Sequence, residues 1–139
     1  MTISELVTRA HDNAVKHGFW DPAPAFGTAI ALIHSELSEA LEEDRAGRPN
    51  FYFPCNAGGL CVEDEEGGPS CGSMPYNPES PDAPCSARSK KPEGVAVELA
   101  DAVIRIADLC GHLGIDLEAA IDLKMAYNET RPFKHGKRF

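Results

Sequence analysis

The stretch IHSELSEALEEDR, residues 33–45, has the period of an amphipathic helix yet sets carboxylates on the stripe that should be apolar. Counting about 100° per residue from Glu36, the apolar residues Leu32, Ala29, Ala40 and Ile33 fall within about −40° to +60°. On the same scale Glu43 falls at about −20° and Glu39 at about −60°, so Glu36 lies on the core face and Glu39 at its edge. Glu42 and Arg45 point elsewhere. The stretch VELADAVIRIADL repeats the pattern. Counted from Glu98, Val95, Ala102 and Leu109 lie within about +20° to +60° and Asp101 at about −60°.

Carboxylates turned toward a helical core cannot remain ionised and unpaired; burial raises their pKa values or unfolds the chain. A divalent cation resolves this, because hard ions such as Mg²⁺ take oxygen ligands and several carboxylates balance their charge. A single acid pair at i, i+3 is ordinarily a solvated helix edge. Two pairs on separate helices, both encroaching on the apolar face, point to a metal held by Glu36, Glu39, Glu98 and Asp101. The small residues Ala40 and Ala102 let the two helices approach there.

The rest of the chain reads as helical around these two segments. Apolar residues at helical spacing predict a first helix over 2–17, a second over about 25–46, a third over about 94–113 and a fourth over 117–129, with Asp116 as N-cap and Pro132 beyond the last turn. Residues 50–91 break the pattern. They hold six of the eleven prolines, five of the twelve glycines and four of the five cysteines. No helical period runs through them, and FYF at 51–53 is the single hint of a strand, so an irregular insertion is expected between helices two and three. At 139 residues the chain is expected to be one all-α domain, a four-helix bundle with that insertion.

The formal net charge of −9 is unevenly placed. Residues 131–139 carry Arg131, Lys134, Lys137 and Arg138 and no acid, which leaves −13 on the remainder. So acidic a body excludes a broad nucleic-acid surface. The N-terminus has no basic region followed by an apolar run, and no apolar stretch is long enough to span a bilayer. We therefore expect a soluble, unsecreted, cytoplasmic protein with no membrane partner. Lys124, Asn128 and Arg131, at i, i+4 and i+7, form one stripe on the fourth helix, and Lys134 follows. Such a stripe either complements the helix dipole or clamps phosphate. Beside a carboxylate-bound metal, the combination describes a polyphosphate site.

In their order, ELSEALEE, VELADAVIRI and KMAYNETRPFKHGKRF resemble the MazG-like all-α nucleoside triphosphate pyrophosphohydrolases, whose pattern is an ExxE helix followed after a variable gap by an ExxD helix. The resemblance covers helices two to four and the tail. It implies a Mg²⁺-dependent hydrolase, with Mn²⁺ as a substitute, that cleaves a nucleotide between the α and β phosphates to a monophosphate and pyrophosphate. By position, Glu36, Glu39, Glu98 and Asp101 match the family's metal ligands, and Lys124 and Asn128 its phosphate or sugar contacts. It also implies homodimers or homotetramers. The insertion is outside the shared pattern and leaves the choice of base and sugar open.

A metal-bound water needs a proton acceptor. Glu39 is the first candidate and Glu43, on the same stripe, the next. Trp20, in HGFWDP, either stacks on a nucleobase or serves as a core residue ahead of helix two. His34 lies opposite the carboxylates and reads as a non-ligand, and Cys110 as a small core residue. Cys55, Cys61, Cys71 and Cys85 are separated by five, nine and thirteen residues, without a CxxC knuckle. They make either a structural zinc site or free thiols in a loop. A di-iron carboxylate bundle is disfavoured, because no histidine has an acid three residues before it. The alternative from another class is a non-catalytic helical interaction module that uses the Cys-rich loop for docking.

Overall fold

The computed structural model describes residues 1–54, 60–63, 69–71 and 91–132. Four helices carry most of them: α1 (Ile3–Lys16), α2 (Phe26–Arg45), α3 (Val95–Leu113) and α4 (Leu117–Glu129). The protein is predominantly helical, and each helix begins and ends within two residues of where the sequence signals place it. The local chemistry explains the bounds. Thr2 and Glu5 form a capping box at α1, with Thr2 Oγ1 accepting from Glu5 N at 3.1 Å and Glu5 Oε2 accepting from Thr2 N at 2.7 Å. Asp116 Oδ1 accepts from Ala119 N at 3.0 Å and starts α4. Each cap of this kind contributes about 1 kcal/mol.

The insertion is not wholly irregular, which corrects the expectation. Short strands β1 (Phe53–Pro54), β2 (Leu60–Glu63) and β3 (Pro69–Cys71) form an antiparallel sheet in the order β1-β2-β3. Strands of two to four residues are too short to show an alternating pattern, so periodicity could not reveal them.

The chain divides into two compact units, with the division falling inside α2 and α3: Met1–Ala29 with Val103–Phe139, and Ile30–Ala102. In the first, α1 packs on α4 and buries Ala10 and Ala14. Ser4 N and Oγ both donate to Glu118 Oε2, at 2.9 and 2.5 Å, which ties the start of α1 to α4. Gly111 permits the close approach of α3 to α1: a Cβ there would lie 2.6 Å from the Cβ of His11. Among the described residues, no helix is long and apolar enough to cross a membrane.

In the second unit, α2 buries Ile33, Glu36, Ala40 and Glu43, a seam with spacings of three, four and three in which every second member is an acid. The first half of α3 buries Glu98 and Ala102. The chain enters and leaves the insertion side by side. Tyr52 N donates to Glu93 O at 3.0 Å and Glu93 N to Tyr52 O at 2.9 Å. Gly94 follows at φ 113°, where a Cβ would meet Asn50 O at 2.6 Å, so glycine alone fits this turn into α3.

Candidate metal centre

Within the Ile30–Ala102 unit, the α2 seam meets the start of α3 through acids. Carboxylate oxygens of Glu36, Glu98 and Asp101 lie within 4.8 Å of one another. Glu36 and Glu98 are each 5% exposed, and Asp101 is half-buried. On each helix a buried alanine, Ala40 or Ala102, follows the buried glutamate by four residues. Burial pushes the Glu98 carboxyl pKa up, and the negative charges of Glu39, Asp101 and Glu36 push it further. Three carboxylates brought together, two of them buried, form a set that a hard cation fits. The donor set is all oxygen, with no thiolate or imidazole, the kind that hard cations take.

Glu39 stands differently from the other three. It is exposed and outside the convergent group, but its charge acts on Glu98, so it lies on the solvent margin of the cluster. This agrees with its place at the edge of the stripe. His34 is exposed and takes no part.

Glu43 requires a correction. It is buried on the seam, as its angle indicates, but its carboxylate is already engaged. Arg48 Nη1 donates to Glu43 Oε1 at 2.5 Å, and the Tyr52 hydroxyl donates to Oε2 at 3.0 Å. Arg48 Nη1 also donates to the Tyr52 oxygen at 3.2 Å. A carboxylate held by a guanidinium and a buried phenol is a structural anchor rather than a free base, because taking a proton would forfeit its charge-assisted bonds. The signal was available: an acid on a core seam needs a donor, and Arg48 and Tyr52 follow it in sequence.

Trp20 also has a role other than base stacking. Its indole lies on the His112 ring, with centroids 3.8 Å apart and planes 9° from parallel. Its Nε1 donates to Asp108 Oδ1 at 2.8 Å, and His11 Nδ1 lies 2.9 Å from the same oxygen. The carboxylate oxygen accepts from both, which sets the imidazole proton on Nδ1. A ring stacked on His112 and fixed at its N–H is a packing element of the Met1–Ala29 and Val103–Phe139 unit. These partners are 88 to 97 residues apart in sequence, too distant for any local pattern to link them.

In that same unit, Lys124 and Asn128 are exposed on α4 and Arg131 is half-buried just past its end. Lys124 Nζ stands 5.0 Å from the centroid of the Tyr127 ring, and the Arg131 guanidinium carbon 6.0 Å from it, so the two cations flank one aromatic. Lys134 lies outside the described residues. So do Cys55 and Cys85, while Cys61 and Cys71 occupy directly opposed positions on β2 and β3. Cys110 is buried, and burial pushes its thiol pKa up, as suits a core residue.

No family model, curated protein or solved structure matches the chain.

Proposed function

We propose that the protein is a Mg²⁺-dependent nucleoside triphosphate pyrophosphohydrolase of MazG-like fold, with the Cys-rich segment as an insertion between its metal-binding helices. The observation that carries this reading is the convergence of Glu36, Glu98 and Asp101 from two helices, with two of the three carboxylates buried. The ExxE and ExxD motifs that supply them are those of the resemblance. Glu36, Glu98 and Asp101 would hold the ion, with Mn²⁺ as substitute, and Glu39 would join them from the exposed margin. When bound, the metal neutralises the cluster, polarises phosphoryl oxygens and acidifies water.

The chain's own groups then have distinct tasks. Glu39, the carboxylate with solvent access, takes the proton of the attacking water. The water oxygen bonds to phosphorus as the bridging bond between the α and β phosphates breaks, giving a nucleoside monophosphate and pyrophosphate. Lys124, Asn128, Arg131 and Lys134 are the groups that the resemblance implies for phosphate or sugar oxygens. α4 buries no residue and exposes Leu123, Met125 and Tyr127 by 76%, 56% and 57%, which supports self-association as a homodimer or homotetramer. Cys55, Cys61, Cys71 and Cys85 are assigned to a structural zinc on the strength of their number in a polar segment.

The test is product analysis with a mixed pool of canonical and damaged nucleotides, micromolar protein and Mg²⁺. Equimolar monophosphate and pyrophosphate, abolished by EDTA, are expected. Release of orthophosphate instead would contradict α–β cleavage. No turnover of any nucleotide, by a protein that still binds other macromolecules through its insertion, would return the molecule to the class of interaction modules.

A further inference from the structure

The two cysteines of the insertion that fall on its strands are brought opposite one another. β2 and β3 pair antiparallel with Cys61 against Cys71, Val62 against Ser70 and Glu63 against Pro69. On the other side of β2, Phe53 of β1 opposes Cys61, so Phe53, Cys61 and Cys71 form one row across a single face of the sheet. Directly opposed residues of an antiparallel ladder have Cα atoms about 4.5 or 5.5 Å apart, according to whether the pair is hydrogen-bonded. Both spacings fall within the range of about 4.4–6.8 Å that a disulfide spans. The register alone therefore meets the backbone requirement for a bond. The sheet also needs a tie. Its strands are two, four and three residues long, and β3 is an edge. Ladders this short contribute few hydrogen bonds, and small units of this kind are held by a cross-link or a metal. The four cysteines of the insertion allow three pairings, and the register selects the one that joins Cys61 to Cys71. Cys110, a buried residue of α3, belongs to the other unit.

We propose that Cys61 and Cys71 are a redox-active thiol pair, open as two thiols and closed as a cross-strand disulfide between β2 and β3. The reaction partner is a small-molecule disulfide. One protein sulfur attacks it, which forms a mixed disulfide and releases one small thiol. The opposed cysteine then attacks the mixed disulfide, which forms the Cys61–Cys71 bond and releases the second small thiol. The protein gives up two electrons and two protons, and the small disulfide takes them. Excess small thiol reverses both steps. Closure joins the central strand of the sheet covalently to its edge strand, across the acidic run 63–66. The row of opposed residues ends at Phe53, whose neighbour Tyr52 is buried and pairs with Glu93 just before α3. The tie thus acts close to the point where the insertion joins the helices. The proposal is independent of the carboxylate centre. It bears on the zinc assigned above, because a sulfur in a disulfide is no longer a thiolate ligand: metal and disulfide exclude one another at these two sulfurs.

The experiment is cysteine mapping of the full chain after equilibration in mixtures of reduced and oxidised glutathione. The protein is quenched by alkylation, denatured and digested with a glutamate-specific protease. Glu63, Glu65 and Glu66 lie between Cys61 and Cys71, so digestion separates the two strands unless a disulfide joins them. The expected result is a linked Cys61–Cys71 peptide pair that grows with the share of oxidised glutathione and disappears in dithiothreitol. The double variant Cys55→Ser/Cys85→Ser should keep that link. Cys61→Ser and Cys71→Ser should each lose it and retain at most a glutathione adduct on the remaining thiol. The wild-type map decides the pairing even if a variant fails to fold. Links from Cys61 or Cys71 to Cys55 or Cys85 in comparable amount, or glutathione adducts without the Cys61–Cys71 link, would overturn the proposal. So would a protein that keeps zinc and four reduced insertion thiols through the same treatment, a result that would favour the zinc assignment instead. None of these outcomes touches the carboxylate reading, which no cysteine enters.

Discussion

Glu43 and Glu98 are buried to nearly the same degree, 8% and 5% exposed, in the same unit, and they meet opposite surroundings. Glu43 receives a guanidinium and a phenol. Glu98 faces Asp101 and Glu36 and feels Glu39, so burial and like charge act on it together. A buried carboxylate with donors stabilises a fold; one among other carboxylates strains it until a cation arrives. Asp108 follows the Glu43 pattern, with Trp20 and His11 on one oxygen. Glu43 and Asp108 thus meet donors, whereas Glu98 is set among carboxylates. That contrast supports the proposed metal site at the cluster.

The sharpest way to break the contrast is to neutralise one acid of each kind. Glu98→Gln should lower turnover by about a thousandfold or more, the several kcal/mol that a positioned metal supplies. Its melting temperature in EDTA should hold or rise, because a buried charge among like charges is removed. Retained turnover in a folded Glu98→Gln protein would sink the assignment.

Tyr52→Phe should do the reverse. It removes a donor from a buried carboxylate and should cost about 1.5–3 kcal/mol in chemical denaturation. Mg²⁺ affinity, read by calorimetry, should be unchanged. Weakened metal binding at unchanged stability would place Glu43 with the metal ligands after all.

Glu42→Gln is the smallest expected effect. Glu42 pairs with Arg45 at 2.8 Å, but both are largely exposed, so the change should stay within about 0.5 kcal/mol and leave turnover intact. A large loss of activity there would mean that the catalytic face of α2 has been misread.

The helices and the three-carboxylate cluster were legible because both depend on short-range periodicity. Glu36 and Glu98 fall on apolar stripes, each with an alanine four residues on, and the observed seam of α2 follows the same angles. Glu43 was placed on the correct face but given the wrong task, since a stripe specifies burial and not the donors that meet it. Arg48 and Tyr52 reach it from beyond the helix end, where the period stops. The Trp20–His112 stack and the shared Asp108 were hidden for a stronger reason: they join opposite ends of the sequence, through a contact that Gly111 permits but does not announce. The sheet of the insertion was missed because its strands are shorter than any pattern.

The central claim, that the Glu36–Glu98–Asp101 cluster is completed by a divalent cation, is tested most directly by melting the protein in EDTA and in Mg²⁺ across pH. Burial and like charge raise the folded pKa of Glu98 above its unfolded value. The folded state therefore keeps a proton where the unfolded chain has released it. In EDTA, the stability this contributes is fully present below the unfolded carboxylate pKa and is lost as pH rises through the raised folded pKa. Mg²⁺ competes with that proton, so its stabilising increment should grow over the same window, reaching about 2.7 kcal/mol at a hundredfold excess over Kd. Glu98→Gln should show neither the fall in EDTA nor the growing increment. A Mg²⁺ increment that is absent, independent of pH or equal in Glu98→Gln would contradict a metal at this cluster.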